Sequence, residues 1–95
     1  MTLLGAELLD EFVAKHREAG EAFAVWRISV VSASPRHFIE LKQTFAGADY
    51  VKPFVVFDVG GNKYRLIALV DYASRILQIR HVLTHAEYGR RDWRR

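Results

Sequence analysis

Lys63, Arg65 and Arg80 interrupt two otherwise apolar runs that lead directly into Thr84-His85-Ala86-Glu87-Tyr88. Such cations suit phosphate, because arginine presents a fork of donors and lysine a compact charge. Histidine adds a group that titrates near neutral pH and can give or take a proton. Cleaving RNA without a metal needs this set. The 2′-hydroxyl must lose a proton, the crowded phosphorus must have its added charge neutralised, and the leaving 5′-oxygen must gain a proton. His85 is the candidate proton-transfer residue and Arg65 the candidate ligand of the scissile phosphate. Tyr88 could stack on a base or share in proton transfer, although a phenol is an indifferent base at neutral pH. Lys63 and Arg80 are candidate phosphate contacts. Arg90, Arg91, Arg94 and Arg95 form a basic tail suited to a polyanion, an attraction that salt weakens.

Each assignment has an ordinary alternative. Arg65 stands among Leu, Ile and Val, where a charge is costly unless it is paired or faces a cleft, and Asp58 or Asp71 could pair with it. A lone His85 reads as a surface or capping residue, Tyr88 as packing for the tail, and the remaining cations as solvated charges. His81 is assigned to an apolar face as a core histidine. His16 and His37 are expected at the surface, and Phe12, Trp26 and Phe45 in the core. No metal or cofactor is expected: the four histidines form no HExxH-type pattern, and there is no cysteine. Gly60-Gly61 reads as a hairpin turn, not a phosphate loop.

The elements that must position these groups follow from periodicity. Leu4, Leu8, Leu9, Phe12 and Val13 repeat at helical spacing, and acidic residues precede Lys15, His16 and Arg17, which predicts an amphipathic helix from about Leu3 to Ala19 stopped by Gly20. Ala22 to Ser32 is ambiguous: Val25, Ile28, Val30 and Val31 favour a strand, while Phe23, Trp26 and Val30 fit one helix face. Ser34-Pro35 reads as an N-cap followed by proline at the first position of a short helix ending before Gly47. Three strands follow, Phe54 to Val59, Lys63 to Asp71 and Ile76 to Thr84, turning at Gly60-Gly61-Asn62 and Ala73-Ser74. The pattern predicts an α+β domain, with N-terminal helices on a three-stranded antiparallel meander and a C-terminal tail that is a short helix or loosely ordered. Pairing Asp71 with Ile76 sets Ile67 opposite Arg80 and Leu66 opposite His81. That register places Lys63, Arg65, Gln78 and Arg80 on one open face over a separate apolar layer.

Composition frames the partner. Ninety-five residues, half of them apolar, make one domain spanning 1–95 with a single core. No apolar stretch approaches the roughly 20 residues of a membrane span, and Met1 to Leu9 lacks the basic start of a signal peptide. The expectation is a soluble cytoplasmic protein. Charge is unevenly divided: residues 1–49 carry five Lys/Arg against seven carboxylates, and residues 50–95 carry nine against four. The second half favours a polyanion.

The run Phe57-Asp58-Val59-Gly60-Gly61-Asn62-Lys63-Tyr64-Arg65-Leu66-Ile67, with Ile79-Arg80 and Thr84-His85-Ala86-Glu87-Tyr88, resembles toxins of the HigB type, within the RelE-like superfamily. Trp26 and the stretch Ser34 to Phe45 also fall where that family places theirs. The resemblance implies a RelE-like fold with helices on one side of a small sheet and mRNA across the other, and it argues for helix over Ala22–Ser32. It implies ribosome-dependent mRNA cleavage without metal, leaving 2′,3′-cyclic phosphate and 5′-hydroxyl ends. It also implies a cognate helix-turn-helix antitoxin of the HigA type. The chain departs from the family pattern at Gly89, where relatives often carry Asp, and its stop at Arg95 predicts a short or missing last helix. The rival expectation is a non-catalytic RNA- or protein-binding module on the same fold.

Overall fold

The computed structural model describes residues 1–94. Its elements run β1 (Thr2–Leu4), α1 (Ala6–Lys15), a 3-10 turn at Arg17–Ala19, α2 (Gly20–Ser32), α3 (Phe38–Thr44), β2 (Asp49–Val51), β3 (Phe54–Val59), β4 (Tyr64–Asp71), β5 (Ile76–Thr84), α4 (His85–Arg90) and a second 3-10 turn at Asp92–Arg94. The strands form one mixed sheet ordered β1-β5-β4-β3-β2, in which only the β1–β5 pair is parallel.

The α+β class and the meander are as the sequence predicts, and several local expectations are corrected. The start of the chain is a strand, not the first turn of a helix: Thr2, Leu3 and Leu4 pair with Ile76, Leu77 and Gln78. A three-residue strand is too short to show a period of two, and its partner lies over seventy residues away. Gly5 makes the transition at φ +80°, and a β-carbon there would lie 2.7 Å from the carbonyl oxygen of Ile79. Gly5→Ala is therefore expected to cost about 1–3 kcal/mol, measured by urea unfolding; an unchanged midpoint would contradict this close approach. At its other end α1 stops at Lys15, and Gly20 opens α2 instead of closing α1.

The ambiguous segment is helical. In α2, Phe23, Trp26 and Val30 are buried while Val25, Ile28 and Val31 are exposed, so three of its four β-branched residues fall on the solvent side. The cap of α3 is the second correction. His37 is the N-cap, its Nδ1 accepting the Glu40 N–H at 3.3 Å. Arg36 grips the Glu40 carboxylate through side chain and backbone, and these bonds lower that carboxyl to about 2.

The third correction is the β4–β5 register. Asp71 does pair with Ile76, but a bulge between Ile67 and Ala68 leaves Arg80 as the extra residue. Ile67 faces His81 and Leu66 faces Val82, one residue beyond the predicted partners. The physical gain is that Leu77, Ile79 and Val82 all reach the helix-side core, while Leu83 joins Val56 and Ile67 on the opposite face. His81 thereby leaves the main core.

That second face is not open. Trp93, 5 % exposed, lies over Val56 and Ile67 with its ring edge-on to Phe54. The tail is a six-residue helix and a turn folded back on the sheet. Arg95, included in the predicted basic tail, lies outside the described residues.

Candidate RNA-binding and catalytic site

Most of the candidate groups meet at one end of the sheet, where the β3–β4 turn lies beside the start of α4. Gly60, Gly61 and Asn62 all take positive φ, which reverses the chain tightly enough for Val59 to pair with Tyr64 and Asp58 with Arg65. On the other flank Tyr64 pairs with Thr84, and the His85 N–H donates to the Lys63 carbonyl at 3.0 Å. Residues 22 positions apart in sequence are thus neighbours. Lys63 sits in the turn just before β4 and is exposed.

Arg65 is held from several sides. Its Nη1 donates to Asp58 Oδ1 and to the Tyr64 carbonyl, each at 3.2 Å, and Nη2 donates to the Asn62 side-chain oxygen. Its guanidinium carbon lies 5.3 Å from the centroid of the Tyr88 ring, a cation–π contact. Only 12 % of the side chain is exposed. Of the two partners that the sequence offers for a structural ion pair, Asp58 and Asp71, it is Asp58 that forms it. Such fixation also gives a cation that needs little reorganisation to meet a charge, which is what transition-state stabilisation asks for.

His85 is exposed at the first position of α4, and the motif around it has a structural explanation. The Thr84 hydroxyl accepts the Glu87 N–H at 3.2 Å, and Glu87 Oε1 accepts the Thr84 N–H at 2.9 Å. This is a capping box, legible in the sequence as T-x-x-E. The bond from the Thr84 backbone holds the Glu87 carboxyl below its ordinary value. A depressed acid adds stability above its unfolded value of about 4.3 and loses it as pH falls through the folded value. Thr84→Ala is expected to cost about 1 kcal/mol at neutral pH, read as a lower urea midpoint. Glu87→Gln, which keeps the shape and loses the charge, should differ from wild type less in acid than at neutral pH; a constant difference would put no stability on the Glu87 charge.

Tyr88 packs against the tail. Its ring lies parallel to Trp93 at 5.2 Å, and its carbonyl accepts the indole N–H at 3.0 Å and the Arg91 N–H at 3.1 Å. The ring is therefore committed to Arg65 and Trp93 within the folded chain. Arg90 and Arg91 are exposed where α4 ends, and Arg94 lies 5.5 Å over the Trp93 ring.

Arg80 is not brought together with Arg65. It lies in the bulge and, with Lys15 and His16 of the α1 end, lines a groove of about 280 Å³ along the free edge of β5. His81 lines the same groove and is held below its usual value, first by burial and then by the Arg80 charge. The sequence gives no hint of a role for His16 or Glu18. No periodic pattern links a turn at the end of α1 with a bulge more than sixty residues later. Among the described residues no three His, Asp or Glu side chains converge as a metal-binding group, and no helix is long and apolar enough to cross a membrane.

Residues 19–91 match the family described as HigB_toxin, the RelE-like toxic component of a toxin-antitoxin system. The chain is also similar to the mRNA interferase toxin HigB of Escherichia coli (strain K12), 43 % identical over 51 residues that make up 50 % of this chain and 49 % of the relative. The mRNA interferase HigB of Shigella flexneri matches with the same identity and coverage. That of Escherichia coli O6:H1 is 33 % identical over 54 residues, 54 % of this chain and 52 % of the relative. The chain spans about half the length of the curated relatives it matches.

Proposed function

This chain belongs to the family of HigB-type, RelE-like toxins, and from that premise we propose that it is an endoribonuclease that cuts translated mRNA and so arrests translation. The reading is carried by one observation: the backbones of the exposed Lys63 and His85 pair at the end of the sheet, beside the strand that carries the fixed, nearly buried Arg65. In this mechanism Lys63 and Arg65 hold the scissile phosphate. His85 takes the 2′-hydroxyl proton, and the 2′-oxygen closes on phosphorus to leave a 2′,3′-cyclic phosphate and a 5′-hydroxyl. These steps use side chains alone, with no cofactor. Tyr88 acts through Arg65, whose guanidinium it backs. Arg80, Arg90 and Arg91 contribute charge along the RNA path.

The substrate in this reading is mRNA on the ribosome, with ribosomal RNA met by the arginines of the tail. The partner that restrains the toxin is a helix-turn-helix antitoxin of the HigA type, and the compartment is the cytoplasm, where translation occurs. The second reading, a non-catalytic binding module, is favoured by the Asp58 pair on Arg65 and by the engagement of the Tyr88 ring with Trp93. Turnover separates the two. Primer extension on mRNA held in translating ribosomes should show new 5′ ends in large excess over added protein. Stoichiometric block of translation with intact message would establish the binder and end the nuclease reading.

A further inference from the structure

His16 is expected at the surface from sequence, yet its ring makes two contacts within the fold. It lies against Phe12 at 4.3 Å with an interplanar angle of 25°, and its Nδ1 is 3.6 Å from Glu18 Oε1. The same carboxylate oxygen lies 3.4 Å from the Tyr64 hydroxyl that donates to it, and Tyr64 in turn is edge-on to Phe12 at 5.7 Å. Imidazole, carboxylate and phenol are thus tied to one core aromatic. At 3.6 Å the Glu18 carboxylate is a charged neighbour of Nδ1 and not a hydrogen-bond partner, and the ring's place is set by its stacking on Phe12.

The ring remains 34 % exposed and lines the groove at the free edge of β5. This edge is free because β1 covers β5 only from Ile76 to Gln78, and the bulge follows just beyond. Lys15 and Arg80 supply positive charge to the groove; Glu11 and Glu87 are its carboxylates, and Glu87 is already engaged by Thr84. The capping box adjoins both histidines. Glu87 lines the groove with His16, and His85 directly follows Thr84.

We propose that this groove seats the leaving side of the scissile phosphodiester, and that His16 is the catalytic residue that protonates the departing 5′-oxygen. The inference rests on the endoribonuclease reading above and supplies its second proton transfer. The 2′-oxygen loses its proton to His85 and bonds to phosphorus. The P–O5′ bond breaks, and its electron pair takes the proton carried on His16 Nε2. Charge and protons balance, and nothing is oxidised. Lys15 and Arg80 draw the RNA strand on the leaving side into the groove, and Glu18 is a positioning residue.

The test is cleavage of ribosome-held mRNA with His16→Ala and with His16→Phe, which retains an aromatic ring against Phe12 if alanine fails to fold. Each is assayed on an ordinary message and on one carrying sulfur in place of the 5′-bridging oxygen at the scissile position. A thiolate departs without protonation. On the ordinary message the variants should lose about 10²–10⁴ in rate; on the sulfur message they should cleave within about tenfold of wild type. Glu18→Gln should show a smaller loss with the same sulfur rescue. An equal loss on both messages, or less than tenfold loss on the ordinary one, overturns the assignment while leaving the nuclease standing. Absence of cleavage by wild type on either message overturns the nuclease reading and this inference with it.

Discussion

His85→Ala is expected to lower cleavage of ribosome-held mRNA by about 10²–10⁴, the span removed with a general acid or base, and to leave the unfolding stability within about 0.5 kcal/mol of wild type. The separation of the two effects follows from position. The imidazole is exposed, and the residues that stabilise the start of α4 are its neighbours Thr84 and Glu87. Alanine is also a better helix former than histidine, so the helix loses nothing at that site. The measurement pairs single-turnover primer extension with urea unfolding of the same preparations. A rate within tenfold of wild type would remove His85 from the mechanism and reduce the motif to its capping box.

Arg65→Ala is expected to lose about 10²–10³ in the same assay, the cost of removing one preorganised donor to a developing oxyanion. Here stability falls as well. The side chain bonds Asp58, Asn62 and the Tyr64 carbonyl and lies against Tyr88, so its removal frees the β3–β4 turn and the underside of the tail. Asp58→Asn separates the two roles. It removes the countercharge while keeping the cation and a group that can still accept a hydrogen bond, and it should leave cleavage within about tenfold of wild type. If Asp58→Asn is as damaging as Arg65→Ala, the arginine serves the fold, and the ordinary explanation for a charge in an apolar strand prevails.

The legible parts of the molecule are those governed by short sequence separations. The turn at Gly60-Gly61-Asn62 follows from residue types that accept positive φ, and it places Asp58 across from Arg65. The T-x-x-E spacing is a capping box by composition. The β-strand meander follows from alternation and turn residues. The resemblance resolves Ala22–Ser32, which local propensity leaves open, because Phe23, Trp26 and Val30 select the helix only once a sheet is present to bury them.

Chain-local chemistry therefore determined the class of fold, the meander and its turns, and the residue types of the proposed site. Tertiary structure decided where those residues stand. β1 exists only because β5 offers it an edge, and so its three residues carry no strand signature of their own. The bulge at Arg80 satisfies two apolar layers at once, a demand that neither strand states alone, and it sends Arg80 to a groove apart from Arg65. Trp93 closes the second face because Val56, Ile67 and Phe54 assemble there from two strands. His16 meets Glu18 and the groove through the break after α1 and the packing of Phe12 on Tyr64. In each case the deciding energy is burial shared between distant segments, and alternation within one segment does not encode it.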